Sequence, residues 1–179
     1  MNSRKDALVG GAEIIQLIER EAGDTGTTVG TVGTLKVNPG GVNIIPGSVE
    51  FTLDLRDVSP EARSKVEKEI RKGAESICEK RGLKLELEVL QNVPPVECDK
   101  SLQMAIANAM KDLSLNHVRL STGAAHDSNQ MSRLSPVGMI FVRSPNGMSH
   151  SPEEWSEKED CRDGANVLYR TLIQVAEEA

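Results

Sequence analysis

Hydrophobic and polar positions alternate with two different periods in the first half of the chain. Apolar residues recur at helical spacing over residues 4–22, with charged residues on the opposite face, which predicts an amphipathic helix. Residues 29–37 and 48–56 predict two strands, and SVEFTLDLR at 48–56 alternates strictly, as in a half-buried antiparallel strand. A second helix is predicted from Ser59 as N-cap to a stop at Gly82.

The alternating stretch LKLELEV at residues 83–89 predicts a third strand. The resulting order α-β-β-α-β predicts an α/β fold, a small sandwich in which an antiparallel sheet carries two helices on one face. Two prolines in QNVPPVECD indicate a crossing between domains near residue 94. We therefore expect one domain over residues 1–93 and a second over residues 94–179.

The second half has fewer elements. Asp99 is expected to cap a helix that runs to about residue 113, the apolar run at 137–142 predicts a buried strand, and Ser156 with Glu159 forms a possible capping box for a last helix. The residues of that helix expected to face inward are Ala165, Leu168, Leu172, Val175 and Ala176. Because these elements are too few to close a core, we expect the chain to be part of a longer protein.

Composition narrows the class of protein. The chain has 179 residues, 27% charged and 38% hydrophobic, which is typical of a soluble globular protein. Aromatic residues make up only 2% and the net charge is −6, which argues against nucleic-acid binding. The three cysteines form no CxxC pair and fit reduced thiols in the cytoplasm. Neither a signal peptide nor an apolar run of about 18 residues is present, which argues against a membrane partner.

Arg56 is the candidate for binding a negatively charged substrate. It ends the strand at 48–56 on the polar face, and its guanidinium could hold a carboxylate through two parallel hydrogen bonds. Asn43 lies in the preceding loop. The alternative is a surface arginine paired with Asp54 or Asp57.

The stretch STGAAHDSNQM is a second polar loop. Gly123, next to Ala124, lets a backbone approach a ligand closely, and His126 could orient a substrate or hold a proton. The alternative is an ordinary turn in which Asp127 caps a helix that starts near Ser128.

His150 lies in a third polar loop, GMSHSPEE. A zinc ion takes three or four N, O or S ligands, but the only other histidines are His117 and His126, and no HExxH pair is present. The residues alone therefore leave a surface histidine as the alternative to a metal ligand.

Four stretches, taken in order, resemble the C-terminal half of the N-carbamoyl-L-amino-acid hydrolases and allantoate amidohydrolases, within the aminoacylase-like two-metal metallopeptidases. They are RKDALVGGAEII, TVGTLKVNPGGVNIIPGSVEFTLDLR, STGAAHDSNQM and MIFVRSPNGMSHSPEEW. The resemblance implies that residues 1–93 are the lid domain, which dimerises, without its first strand. It implies that residues 94–179 are the C-terminal part of the α/β catalytic domain.

The resemblance also implies roles for the candidate residues. His150 matches the last metal ligand, and Arg56 matches the lid arginine that binds the substrate carboxylate, with Asn43 beside it. His126 matches a substrate-contacting position, and Gly123 and Ala124 line the pocket. The remaining metal ligands and the general base lie in a part of the family enzyme that this chain does not include, so no catalytic residue is expected here.

The implied activity is hydrolysis of the C–N bond of N-carbamoyl-L-amino acids or allantoate in a cytoplasmic homodimer. Two divalent ions (zinc, manganese, cobalt or nickel), about 3.5–4 Å apart, would activate a bridging water and polarise the ureido carbonyl. With an incomplete metal site, the chain alone is expected to be inactive. The alternatives are a peptidase or aminoacylase of the same group and a non-catalytic dimerisation module.

Overall fold

The computed structural model describes residues 1 and 3–178, which divide into two compact units, Met1–Pro95 and Val96–Ala179. The first unit contains helix α1 (Ala7–Gly23), strands β1 (Val29–Asn38) and β2 (Ser48–Arg56), and helix α2 (Pro60–Arg81). The second contains α3 (Lys100–Asp112), the single turn α4 (Ser128–Met131), a 3-10 helix (Pro145–Gly147) and α5 (Lys158–Glu177). None of the described helices is both long and apolar enough to cross a membrane.

The predicted ends of α2 are confirmed. The Ser59 hydroxyl accepts a hydrogen bond from Ala62 N at 3.2 Å, and Pro60 occupies the first helical position, where no N–H is needed. Gly82 ends the helix with φ +63°, a left-handed conformation that glycine adopts without steric cost. These signals are local, which is why the sequence alone located both ends.

Strands β1 and β2 form an antiparallel hairpin. Its register runs from Val29 opposite Arg56 to Asn38 opposite Ser48, with an irregularity between Val32 and Leu35. Along β2 half-buried and exposed residues alternate without exception, as predicted. The hairpin therefore has one apolar face toward the helices and one polar face toward solvent.

The core of the first unit lies between the two helices and the apolar face of this hairpin. Buried side chains of α1 and α2 form its centre, and half-buried strand residues pack against them: the buried members are Ile14, Ile18, Val66, Ile70, Ala74 and Cys78. Fully burying one such aliphatic side chain contributes about 1.5–3 kcal/mol. Two helices on one face of an antiparallel sheet is the α/β arrangement that the sequence predicted.

The predicted strand at residues 83–89 does not form. Leu83 and Leu85 pack against the core, as their alternation requires, but the segment has no regular secondary structure, and the sheet of the described residues contains only β1 and β2. The predicted strand at 137–142 likewise does not form, and Asp99 N donates a hydrogen bond to Val137 O at its start at 2.8 Å. Alternation fixes which side chains face the core, whereas a strand also needs a neighbouring strand to pair with.

Helices α3 and α5 pack together in the second unit through small and β-branched residues. Ala105 and Ala109 of α3 and Val167 and Thr171 of α5 are buried. The Asp99 carboxylate caps α3 as predicted, accepting from Ser101 N at 2.8 Å.

Two predictions about α5 are wrong. The Ser156 hydroxyl donates to Arg143 O at 3.0 Å instead of forming a capping box, and the helix begins with no side-chain cap. Leu168 and Leu172, which we expected to face inward, are 50% and 59% exposed. The buried face of α5 lies about one residue before the face that we expected. Helix α3 contacts the side that carries Val167, and no element of the described residues covers Leu168 and Leu172.

Gly73 in α2 provides a test of the α1–α2 contact. A Cβ at this position would lie 2.5 Å from Leu17 Cδ2 of α1. Overpacking costs about 1–3 kcal/mol, and alanine gains about 1 kcal/mol over glycine in a helix. We expect Gly73→Ala to lower the free energy of unfolding by roughly 1 kcal/mol in urea denaturation.

Gly23→Ala is the matched control, because no described atom lies within 4 Å of its added Cβ. This substitution should be neutral or stabilising. A midpoint for Gly73→Ala at or above that of the unsubstituted protein would contradict the contact.

Candidate functional site

Arg56 ends β2 on its solvent-facing side and forms an ion pair with Asp54. Arg56 Nε donates to Asp54 Oδ1 at 2.8 Å, and Nη2 donates to Oδ2 at 2.5 Å. This hydrogen bond raises the pKa of Arg56 and lowers the pKa of Asp54. Both side chains remain about half exposed, at 50% and 53%. Of the two carboxylates considered as partners of Arg56, Asp54 is the one that forms the ion pair. The binding of a substrate carboxylate by Arg56 stays a prediction.

Asp57 fixes the strand end that carries Arg56. Its carboxylate accepts from Thr28 Oγ1 at 2.6 Å, from Thr27 Oγ1 at 2.9 Å and from Ser59 N at 2.8 Å. It thereby joins the end of β2 to the start of β1 and to the N-cap of α2. The bond from buried Thr28, followed by the bond from Ser59 N, lowers the pKa of Asp57. Sequence reasoning missed this role, although an aspartate two residues before an N-cap serine is a known turn signal.

Asn43 lies at the opposite end of the hairpin from Arg56. It is exposed in the loop between β1 and β2, and the base of that loop is closed by Gly47 N donating to Asn38 O at 3.0 Å. Arg56 is the last of the nine residues of β2, and the loop precedes the first. A strand of this length spans about 26 Å at the usual rise per residue. The structure therefore does not bring Asn43 beside Arg56 within one copy of this unit.

His126 is held in its loop by three contacts. Its Nε2 lies 3.1 Å from Thr122 Oγ1, its backbone N–H donates to Asn129 Oδ1 at 3.0 Å, and its ring meets Phe141 edge-on with centroids 6.1 Å apart. A helix does begin at Ser128, but its preceding residue makes no side-chain cap. The cap that the alternative interpretation expected is therefore absent at this turn. Thr122 and Asn129 follow no periodic pattern, so sequence reasoning missed them as partners of His126.

Gly123 and Ala124 precede His126 in the same loop. Ala124 N donates to Thr122 Oγ1 at 3.1 Å, so the loop folds around this threonine. A Cβ added at Gly123 would meet no described atom within 4 Å. The second unit therefore has open space beside Gly123, and lining of a ligand pocket by these two residues stays a prediction.

His150 has a left-handed backbone conformation, with φ +55°, in an exposed loop. Its N–H donates to Glu154 Oε2 at 2.8 Å, which holds the loop. Among residues 1 and 3–178, no three His, Cys, Asp or Glu side chains are grouped so that they could hold a metal ion. The described residues do not by themselves fit a metal centre, and the ligand role of His150 stays a prediction.

Comparisons with known proteins identify the class first. An amidase of the hydantoinase/carbamoylase family from Burkholderia vietnamiensis has the same fold, with a TM-score of 0.92 and 30% identity over 97% of this chain. Residues 6–174 match Peptidase family M20/M25/M40, and the chain belongs to this family. A Bacillus subtilis dinuclear metal-binding peptidase of the M20 family, 20% identical with a TM-score of 0.74 over 96% of this chain and 47% of that chain, supports the fold alone.

Two curated relatives share more of the sequence. The N-carbamoyl-L-amino acid amidohydrolase of Geobacillus stearothermophilus is 51% identical over 99% of this chain, and the ureidoglycolate hydrolase of Arabidopsis thaliana is 38% identical over 98%. The chain spans only 43% and 38% of those proteins, respectively, and 42% of the Burkholderia vietnamiensis chain.

The lowered pKa of Asp57 predicts a pH dependence of stability. An aspartate whose pKa is lowered by folding stabilises the folded state above its unfolded pKa of about 3.9, and this contribution is lost as the pH falls through the folded pKa. We expect Asp57→Asn to unfold more easily than the unsubstituted chain at neutral pH, and the difference to shrink as the pH falls below about 4. Thermal unfolding between neutral and acidic pH measures this difference in stability.

Glu19→Gln is the control, because Glu19 is exposed and has no hydrogen-bond partner among the described residues. A difference for Asp57→Asn that stays constant with pH would contradict the role of the carboxylate charge.

Proposed function

We propose that this chain contributes to a metal-dependent amidohydrolase that cleaves the C–N bond of a ureido acid, such as an N-carbamoyl-L-amino acid, ureidoglycolate or allantoate. Membership of the M20 family and the named activities of relatives up to 51% identical support this proposal. In it, the unit Met1–Pro95 is a lid and dimerisation domain, and the unit Val96–Ala179 is part of the catalytic domain. The rest of the enzyme would be supplied by further polypeptide.

The observation that carries the proposal is the half-exposed guanidinium of Arg56, held at a fixed strand end. Asp54 orients it through two hydrogen bonds, and Asp57 fixes the backbone beside it. A planar fork of donors suits the carboxylate that all these substrates carry. If the substrate carried a neutral amide in place of the carboxylate, Arg56 would lose the carboxylate that pairs with it in addition to Asp54. The site should therefore bind acids more tightly than the corresponding amides.

The separation of Asn43 from Arg56 supports an active site shared between two copies. Arg56 lies at the far end of β2 from the loop that carries Asn43, and the strand length of about 26 Å exceeds the size of a ureido acid. If both residues contact one substrate, they come from different subunits of a homodimer. In a twofold dimer each of two equivalent sites then takes Arg56 from one copy and Asn43 from its partner.

Two divalent metal ions complete the proposed enzyme. The described residues offer no complete set of ligands, so His150 would supply one imidazole and other residues of the enzyme the remainder. When bound, such ions would activate water and polarise the scissile carbonyl. The part played by this chain is positioning: Arg56 holds the carboxylate, and His126 offers a ring nitrogen to a substrate oxygen. Fixing the reacting groups in this way converts binding energy into rate.

A mixed-dimer experiment tests the shared site. In the complete enzyme, Arg56→Ala should weaken transition-state binding by about 2–4 kcal/mol, measured as a fall in kcat/KM. Asn43→Ala should also lower kcat/KM. Differently tagged subunits carrying one substitution each are then co-expressed and the mixed dimer is isolated. Because one of its two sites keeps both residues, we expect about half of the unsubstituted activity.

The control is the mixed-tag dimer in which both subunits carry Arg56→Ala, which should stay inactive. An Arg71→Ala variant controls for loss of a half-buried ion pair elsewhere, since Arg71 pairs with Glu67 on α2. If the Asn43→Ala/Arg56→Ala mixed dimer recovers nothing, the two residues act within one copy and the shared site is wrong.

Substrate and metal dependence test the activity itself. The complete enzyme should hydrolyse N-carbamoyl-L-amino acids, ureidoglycolate or allantoate faster than N-acyl-amino acids or dipeptides, and lose activity to a chelator. The 179-residue chain with added zinc, manganese or cobalt should show no turnover. His150→Ala should lower metal stoichiometry or affinity, whereas His117→Ala, an exposed histidine of the same unit, should not.

Each alternative has its own outcome in this experiment. Faster cleavage of acyl or dipeptide substrates would assign an aminoacylase or peptidase. Unchanged metal binding after His150→Ala, with no hydrolysis of any of these substrates, would favour a non-catalytic dimerisation module.

A further inference from the structure

The side chain of Thr122 forms a hydrogen bond with only one ring nitrogen of His126, Nε2. This contact distinguishes the two nitrogens of the ring. The Thr122 hydroxyl lies 3.1 Å from His126 Nε2 and also accepts the N–H of Ala124 at 3.1 Å. A hydroxyl has one hydrogen to donate and two lone pairs that accept. With one lone pair taken by Ala124, the hydroxyl hydrogen remains available for Nε2.

We propose that Thr122 is a positioning residue that holds neutral His126 with its proton on Nδ1. In this arrangement Thr122 donates to Nε2, and the Nδ1–H becomes the donor that the ring offers to a substrate oxygen. The substrate part of this inference rests on the proposed function, whereas the tautomer does not. In the opposite tautomer Nε2–H would donate to Thr122, and the hydroxyl hydrogen would have no acceptor among the described residues.

The surroundings of His126 keep this arrangement in place. Asn129 fixes the backbone through the His126 N–H, and Phe141 meets the ring edge-on at an interplanar angle of 68°. Turning the ring to exchange its nitrogens would break the bond to Thr122 and disturb the contact with Phe141. Since the partner of one histidine nitrogen decides which nitrogen carries the proton, a fixed ring gives a fixed tautomer.

A neutral Nδ1–H donor suits an oxygen with partial or full negative charge, such as the carboxylate or the carbonyl of a ureido acid. Binding there transfers no proton, so the ring can stabilise charge that develops on the oxygen while staying neutral.

Nitrogen-15 NMR of the labelled 179-residue chain tests the tautomer directly. Long-range proton–nitrogen correlations, recorded at about pH 8.5, where histidine is neutral, distinguish Nδ1–H from Nε2–H rings. We expect the Nδ1–H form to predominate at His126. Thr122→Ser keeps the hydroxyl and should preserve it, whereas Thr122→Val should shift the ring to a mixture or to Nε2–H. His117 and His150, both exposed, are internal references that should not change.

A predominant Nε2–H form at His126 in the unsubstituted chain would overturn the proposal, as would an unchanged ratio in Thr122→Val. The unsubstituted and Thr122→Ser spectra decide the question even if Thr122→Val does not fold. Because the NMR measurement needs no turnover, its failure is distinct from failure of the amidohydrolase assay. In the complete enzyme, Thr122→Val should lower kcat more than it raises KM, and Thr122→Ser should restore kcat.

Discussion

The close approach of α1 to its neighbours is the constraint on which the first unit depends. Glycines make this approach possible on both sides of the contact, since an added Cβ would lie only 2.5–3.1 Å from the nearest side-chain atom at Gly10, Gly11, Gly30 and Gly73. Side chains of the facing elements fill the space above these glycines, so the helix has one position on the hairpin. The apolar face of β2 is fixed by that packing, and its polar face with Arg56 is therefore fixed too.

The same rigid hairpin that positions Arg56 keeps Asn43 away from it. A strand cannot bend to bring its two ends together, so the distance between these residues is a property of β2 and not of a flexible loop. The charge at the Arg56 end is already shared with Asp54, whose bidentate contact orients the guanidinium. An incoming carboxylate would meet an oriented and partly neutralised arginine, which favours geometric selection over simple attraction of anions.

Much of the fold could be predicted from the sequence where it depends on neighbouring residues. The features that depend on distant partners could not. The caps at Ser59, Asp99 and Gly82 and the alternation of β2 depend on neighbouring residues and were found. The segment 83–89 and the exposed leucine face of α5 depend on partners that the described residues do not place there, and both were predicted wrongly. At the candidate site, residue type and loop position indicated Arg56, His126 and His150. The side chains that hold them, Asp57 and Thr122, follow no periodicity.

The chemistry of the described residues indicates how work is divided in the proposed enzyme. They contain a guanidinium and an imidazole that are each held by hydrogen bonds, and no group of three metal-ligating side chains. In the proposed enzyme these two groups would select and orient an anionic substrate. Rate enhancement would then require that these groups meet the metal-bound part of the site, so catalysis would depend on assembly of the domains as much as on any one residue.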